Sequence, residues 1–234
     1  MKCHVVVTGA SRGIGFAVAH RFAQEGHHLA IVARKSGDLA IAKERLMLAG
    51  AASVHPIAAD LSNPDDILKT VTQIQAVFDQ VHILVNNAGL FLGGTMMGEP
   101  VGQFQHLMNT NVLSAYEMTR GLWSLMQHVP RAHVFNMCSI ASVTAYAAGG
   151  SYSVAKFALM GFSKSLRLEG MPYGIRVSAV LPGATLTDSW AGVDLPKERF
   201  MDPKDVAEAI FMAFQINEHT VMEEVVLRPI LGDI

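Results

Sequence analysis

Cysteine is scarce in this 234-residue chain, which holds only Cys3 and Cys138. Two are too few for a disulfide framework and suit a reducing compartment. A basic surplus is also missing: 18 Lys and Arg stand against 20 Asp and Glu, for a net charge of −2. Binding of nucleic acid would call for a basic excess or stripe, so that class is set aside. Charge of either sign is sparse, at 16% of residues against roughly 25% in an average soluble protein. Half of the residues are hydrophobic, which excludes disorder for most of the length. No apolar run approaches the ~20 residues that cross a bilayer, and Met1–Val7 runs into a glycine turn at Gly9 with no leader pattern. The expectation is a cytoplasmic protein, one domain over residues 1–234, without linker, repeat, membrane span or metal site. Its low charge implies either a large buried sheet or helices covered by partner subunits.

What is present is alternation. Short β-branched runs at His4–Thr8, His28–Ala33, Ser53–Ala58, Val81–Asn86, His133–Met137, Ile175–Leu181 and Glu223–Leu227 are separated by helical patterns. The helices are predicted over Gly13–Gln24, Gly37–Leu48, Pro64–Phe78, Val101–Gln127, Ser151–Glu169 and Pro203–Ile216. Several strand runs are apolar at consecutive positions (Val5-Val6-Val7, Ile83-Leu84-Val85), as in strands covered on both faces. Ser62-Asn63-Pro64 and Asp202-Pro203 each set a polar cap before an N1 proline. The fold class that satisfies this order is α/β: a doubly wound parallel sheet of about seven strands with helices on both faces, the Rossmann arrangement.

Thr8-Gly9-Ala10-Ser11-Arg12-Gly13-Ile14-Gly15 follows the first strand and opens the first helix. Glycines there let the backbone turn sharply and approach a pyrophosphate, while the helix start offers unpaired N–H groups. The spacing is G-x-x-x-G-x-G rather than G-x-G-x-x-G. At the end of the second strand, where an NAD-binding protein puts a carboxylate for the ribose 2′-OH, stands Arg34, followed by Lys35. With Arg12 in the loop, these cations suit a 2′-phosphate and so NADP(H); the competing reading is a pair of solvated strand-end charges. Tyr152 and Lys156 stand at i and i+4 and project from one face of a helix. An ammonium held beside a phenol favours the phenolate and lowers its pKa.

Thr8–Gly15, Asn86-Asn87-Ala88-Gly89, Asn111, Ser139, Tyr152-Ser153-Val154-Ala155-Lys156 and Pro182-Gly183, in this order and spacing, resemble the motif set of the single-domain short-chain dehydrogenase/reductases. The resemblance implies that Tyr152 is the general acid for a carbonyl oxygen. It also implies that Lys156 tunes Tyr152 and holds the nicotinamide ribose, and that Ser139 donates a hydrogen bond to the substrate oxygen. Asn111 would hold a water behind the lysine. Ser142 and Asn109 are the competing serine and asparagine. By the same resemblance Gly9, Ser11, Arg12, Gly13, Ile14, Gly15 and Arg34 form the coenzyme cradle. Asp60 and Leu61 meet the adenine, with a helix cap as the other reading of Asp60. Asn87, Ala88 and Gly89 lie against the adenosine half, and Pro182, Gly183, Thr185 and Thr187 against the nicotinamide carboxamide. Cys138 reads as a small buried hydrophobe.

On the substrate side the loops offer Phe91, Leu92, Met96, Met97, Tyr146, Trp190 and Phe200 with few charges, which suits an uncharged aldehyde or ketone. Asp188 and Asp194 read either as partners of a polar ring or as exposed loop acids. Pro182-Gly183-Ala184, Trp190 and the stretch from Thr220 to Ile234 are similar to bacterial sepiapterin-reductase-like members of the same family. The shared core also fits a 3-oxoacyl-[acyl-carrier-protein] reductase. An NAD-using alcohol dehydrogenase and a non-catalytic dinucleotide sensor are the remaining alternatives. The helix at 151–169 is apolar nearly all round, and the segment at 101–127 invites the same reading, so a homodimer or homotetramer is expected.

Overall fold

The computed structural model describes residues 2–190 and 192–234. Met1, the first residue of the segment searched for a leader, and Ala191 lie outside the described residues. Seven strands pair in parallel in the order β3-β2-β1-β4-β5-β6-β7. They are β1 (His4–Thr8), β2 (His28–Ala33), β3 (Ser53–Ala58), β4 (Ile83–Asn86), β5 (His133–Met137), β6 (Arg176–Pro182) and β7 (Glu224–Leu227). Side chains alternate between the two faces. Val5 and Val7 enter one apolar cluster with Phe22, Phe211 and Phe214, and Val6 enters the other with Leu84, Met118 and Leu122. The ring of Phe22, fully buried, meets Phe211 edge-on at 5.4 Å and Phe214 at 6.0 Å. The consecutive apolar runs are thus apolar because both faces of these strands are dry.

Helices α1 (Gly13–Gln24), α2 (Ser36–Leu48) and α7 (Pro203–Gln215) contribute to the first cluster. Helices α3 (Pro64–Val77), α5 (Ser114–Met126) and α6 (Gly150–Gly170) contribute to the second. Asn63 caps α3 by accepting the Asp65 N–H at 3.0 Å, and Asp202 caps α7 by accepting the Lys204 N–H at 2.9 Å. Among the described residues no helix is long and apolar enough to cross a membrane.

One helical prediction is corrected. The single helix expected over Val101–Gln127 is two, α4 (Gln103–Met108) and α5, joined by a π-helical turn over Asn109–Leu113. Gly102 has φ +90°, which stops helix from starting at Val101. The turn arises because polar side chains bond to main-chain carbonyls: Asn111 to Leu107 at 3.0 Å, Thr110 to His106 at 2.8 Å and Ser114 to Thr110 at 2.6 Å. One residue is accommodated as a bulge in the helix.

The order of strands sets the site. From β1 the chain moves outward through β2 to β3, then returns to place β4 on the other side of β1. A reversal of this kind opens a crevice beyond the carboxyl ends of β1 and β4.

Candidate active site

The glycine loop lies at that crevice. Gly9 (φ +65°) and Gly13 (φ +59°) occupy backbone conformations that side-chain-bearing residues rarely adopt. A Cβ on Gly9 would stand 2.8 Å from Asn87 Nδ2, and one on Gly15 would collide with that same atom and the Gly9 carbonyl. Asn87 explains the crowding: its Nδ2 donates to the carbonyls of Thr8 at 2.9 Å and Gly9 at 3.1 Å. The Thr8 hydroxyl accepts the N–H groups of Asn87 and Ala88, both at 2.9 Å, and donates to Val85 O at 3.3 Å. Thr8 and Asn87 therefore staple the β1 and β4 ends together. Thr8 stood in the sequence motif, but spacing assigned it no work.

Arg12 precedes α1 and forms no cap through its side chain. It reaches Asp188 across the crevice at 2.8 Å, both groups being well exposed. Arg34 is exposed just beyond β2. Asp60 is no cap for α3, since Asn63 has that place; instead it accepts the Ser62 N–H at 3.0 Å and hydroxyl at 2.8 Å. These bonds, aided by the Arg34 charge, hold its carboxyl below the usual range. The side chain of Leu61 is buried in the second apolar cluster, which leaves its backbone for any ligand. Ser11 and Ile14 are half-buried on the loop. Beyond β6, Gly183 packs where a Cβ would meet Pro229 at 3.1 Å, and Thr185 turns its hydroxyl onto the Gly183 carbonyl at 3.0 Å. Thr187 faces Gly13 across the crevice, 3.4 Å from where its Cβ would be.

Asn111, Ser139, Tyr152 and Lys156 come together between β4, β5 and α6. The Asn111 amide is buried and clamps Leu90, accepting its N–H and donating to its carbonyl, each at 3.1 Å. Asn109 is instead turned toward Gln105 at 2.6 Å. Ser139 starts a short 3-10 turn, Ile140–Ser142, in which Ser142 Oγ accepts the Ser139 N–H at 3.1 Å. Both hydroxyl oxygens serve the turn, for Ser139 Oγ accepts the Ala141 N–H at 3.1 Å, but Ser142 is buried whereas the Ser139 hydroxyl also stands at Tyr152. Lys156 is buried and donates to Met137 O at 2.8 Å. Burial pushes its pKa down to about 8.

The titration of Tyr152 departs from the sequence expectation. Burial raises its pKa, with the Ser139 hydroxyl pulling the other way. The reason is placement: the Lys156 ammonium is 5.7 Å from the Tyr152 ring centre and is bonded to the Met137 carbonyl. At the loops, Phe91 meets Tyr152 edge-on at 4.9 Å, and Trp190 meets Phe200 at 5.2 Å. Met96 and Tyr146 line a cleft of about 310 Å³ with Ser153, Val154 and Phe157, on a flank of α6 other than the Tyr152–Lys156 face. Among the described residues no cluster of His, Cys, Asp or Glu could hold a metal.

Comparison with known proteins gives the family and the fold. The sequence profile of the family described as short chain dehydrogenase matches residues 3–197. Sepiapterin reductase of Chlorobaculum tepidum is 32% identical over 245 aligned positions, covering 100% of this chain and 99% of that protein. The structure of L-sorbose reductase from Gluconobacter frateurii, complexed with NADPH and L-sorbose, superposes with a TM-score of 0.89 at 29% identity, over 97% of this chain and 95% of that one. An alcohol dehydrogenase of Thermococcus sibiricus shares the fold, with a TM-score of 0.92 at 24% identity over 100% and 99% of the two chains. By sequence over most of its length, this chain belongs to the short chain dehydrogenase family, a family of oxidoreductases.

Proposed function

We propose that the chain is an NADPH-dependent reductase of an uncharged ketone or aldehyde, with coenzyme cradle and proton donor in one domain. The observation that carries this reading is the convergence of Tyr152, Ser139 and Lys156 at the carboxyl end of a sheet whose glycine loop turns through positive φ at Gly9 and Gly13 and packs on Asn87 with no room for a Cβ at Gly9 or Gly15. The cradle fits a dinucleotide: the α1 N-terminus lacks a side-chain cap and points its free N–H groups into the crevice. Arg12 and exposed Arg34 would hold the 2′-phosphate, Asp60 and the Leu61 backbone the adenine, and Pro182, Gly183, Thr185 and Thr187 the nicotinamide end. Ser11, Ile14, Asn87, Ala88 and Gly89 would line the cradle with backbone. When bound, the reduced nicotinamide supplies the hydride for the carbonyl carbon.

The remaining work belongs to the chain. The raised pKa of Tyr152 keeps its phenol protonated at neutral pH, the form a reductase requires, and the phenol gives that proton to the carbonyl oxygen as negative charge develops there. The Ser139 hydroxyl donates a hydrogen bond to the same oxygen. Lys156, with a pKa of about 8, is mostly an ammonium at pH 7 and can hold ribose hydroxyls while its charge stabilises the tyrosinate left when Tyr152 gives up its proton. Asn111 acts by fixing Leu90, and it would hold the water of a proton relay behind the lysine.

Few charges on the loops favour an uncharged substrate, and the Chlorobaculum relative makes sepiapterin the first probe. Exposed Phe104, Val154 and Phe157 on α4 and α6 support a two-fold homodimer or a homotetramer, and the two buried free cysteines suit the reducing cytoplasm. The test is NADPH oxidation at 340 nm over sepiapterin, aryl diketones and short 3-oxoacyl thioesters, with light scattering for the assembly. Turnover of at least one supports the reading; tight NADPH binding with no turnover of any carbonyl favours a dinucleotide sensor.

A further inference from the structure

Helix α6 carries Tyr152 and Lys156, yet it starts without the means to cap itself. Gly149 and Gly150 have no side chains, and no acidic residue stands in its first turn. The free N–H groups at a helix start need an acceptor, and their dipole favours a negative one. The acceptor comes from 52 residues upstream: Glu99 Oε1 accepts the Ser151 N–H at 2.7 Å, and Glu99 Oε2 accepts the Ser151 hydroxyl.

The backbone is shaped around this carboxylate. Gly150 has φ +45°, and a Cβ there would collide with Glu99 Oε1 and the Gly94 carbonyl. Ala148, with φ +58°, bends the preceding turn so that its carbonyl accepts the Gly94 N–H at 2.9 Å. Segment 90–102 is therefore pinned at both ends, by Asn111 on Leu90 and by Ser151 on Glu99. Between the pins, Phe91 rests edge-on against the Tyr152 ring at 4.9 Å.

We propose that Glu99 is a positioning residue for Tyr152, serving as the missing cap of α6 and locking segment 90–102 over the phenol. This rests on the reading of Tyr152 as proton donor. A carboxylate at this place does two things at once. It fixes the backbone one residue before the phenol, and it holds Phe91 where that ring limits how far Tyr152 can swing. Glu99 touches neither a reacting atom nor the coenzyme cradle, so its loss should leave NADPH affinity intact.

The test compares Glu99→Ala, Glu99→Gln and Tyr152→Phe with the parent enzyme under saturating NADPH. Three readouts are taken: amide hydrogen exchange of segment 149–156, NADPH Kd by coenzyme fluorescence, and turnover of 1-phenyl-1,2-propanedione. For Glu99→Ala we expect about tenfold faster exchange at Ser151 and about tenfold lower kcat, with Kd within twofold of the parent. Glu99→Gln keeps an acceptor for the Ser151 N–H and should restore most of both. Unchanged exchange at 149–156 in Glu99→Ala overturns the proposal. So does a Gln variant as damaged as the Ala variant, or parallel losses of kcat, Kd and thermal midpoint. If Tyr152→Phe turns over undiminished, the proton-donor reading fails and with it the positioning role. If the parent does not reduce the probe, exchange and Kd decide between the same outcomes.

Discussion

At the amino ends of β1, β2 and β5 stand His4, His28 and His133, with His82 just before β4; at or just past the carboxyl ends of those four strands stand Thr8, Arg34, Ser139 and Asn87. Two rings of the histidine rim accept backbone N–H groups through Nδ1, while the buried Nε2 atoms of His27 and His82 and Nδ1 of His133 have no protein partner among the described residues. His27 Nδ1 takes the Cys3 N–H at 3.0 Å, His82 Nδ1 takes the His4 N–H at 3.2 Å, and the His4 ring lies flat on Phe78 at 4.6 Å. These bonds require neutral rings, and burial lowers the pKa values of His27, His28, His55 and His82. The opposite edge keeps its groups available: Arg34 is exposed, and Ser139 and Tyr152 are half-buried. The amino ends turn ring nitrogens onto the backbone; at the carboxyl ends Thr8 and Asn87 also tie strand to strand, while Arg34 stays exposed and Tyr152 half-buried. The two rims of one sheet, a strand's length apart, thus differ in how much of their polar surface the fold consumes.

The largest effect that would break this comparison lies at the histidine rim. The folded pKa of His82 is lowered from 6.5 to about 4, chiefly by burial and by His4 and His27 nearby, with Asp79 opposing. A neutral ring in the fold and a normal one in the unfolded chain give stability that is complete above pH 6.5 and is lost as pH falls toward 4. The loss is on the order of 3 kcal/mol for this one residue. His82→Asn keeps an acceptor for the His4 N–H, so its thermal midpoint should fall less than the parent's between pH 7 and pH 4.5. Equal acid slopes would show that the rim is not what responds.

At the other edge, Arg34→Asp replaces the proposed partner of the 2′-phosphate with a repelling charge. The NADPH-over-NADH preference in kcat/KM should shift toward NADH by roughly a hundredfold, about 2–3 kcal/mol; an unaltered preference would return Arg34 to being a solvated strand-end charge. The smallest effect concerns the Arg12–Asp188 pair, which occupies a cation assigned to the coenzyme. An exposed pair is worth about 0.2–1 kcal/mol, so Asp188→Asn should tighten NADPH by no more than about fivefold, read by fluorescence titration. Weaker binding would mean that Asp188 orients Arg12 rather than competing for it.

The fold was legible wherever burial leaves a period in the sequence. β1, β2, β3 and β5 begin and end where their apolar runs do, and the N1 prolines at Pro64 and Pro203 mark true helix starts. β4, β6 and β7 differ by one or two residues, where polar or proline positions blur the edge. The π turn at Asn109–Leu113 was not legible, because Asn111 is bonded to Leu90, a residue brought near only by the fold. The same holds for Glu99 on Ser151, and for Arg12, whose pairing with Asp188 joins the start of α1 to the segment after β6. Tyr152 shows the limit of spacing most clearly. Four residues bring Lys156 to its side of the helix, but spacing says nothing of the Met137 carbonyl that accepts the lysine's hydrogen bond, or of the burial that raises the phenol's pKa.

The central claim is that one phenol supplies the proton for carbonyl reduction. Its most direct test is Tyr152→Phe with NADPH binding first verified by fluorescence, followed by turnover of whichever ketone the parent reduces. Loss of one catalytic acid predicts a fall in kcat of about 10²–10⁴-fold with NADPH Kd nearly unchanged. A variant that binds NADPH and reduces the ketone at the parent's rate would contradict it.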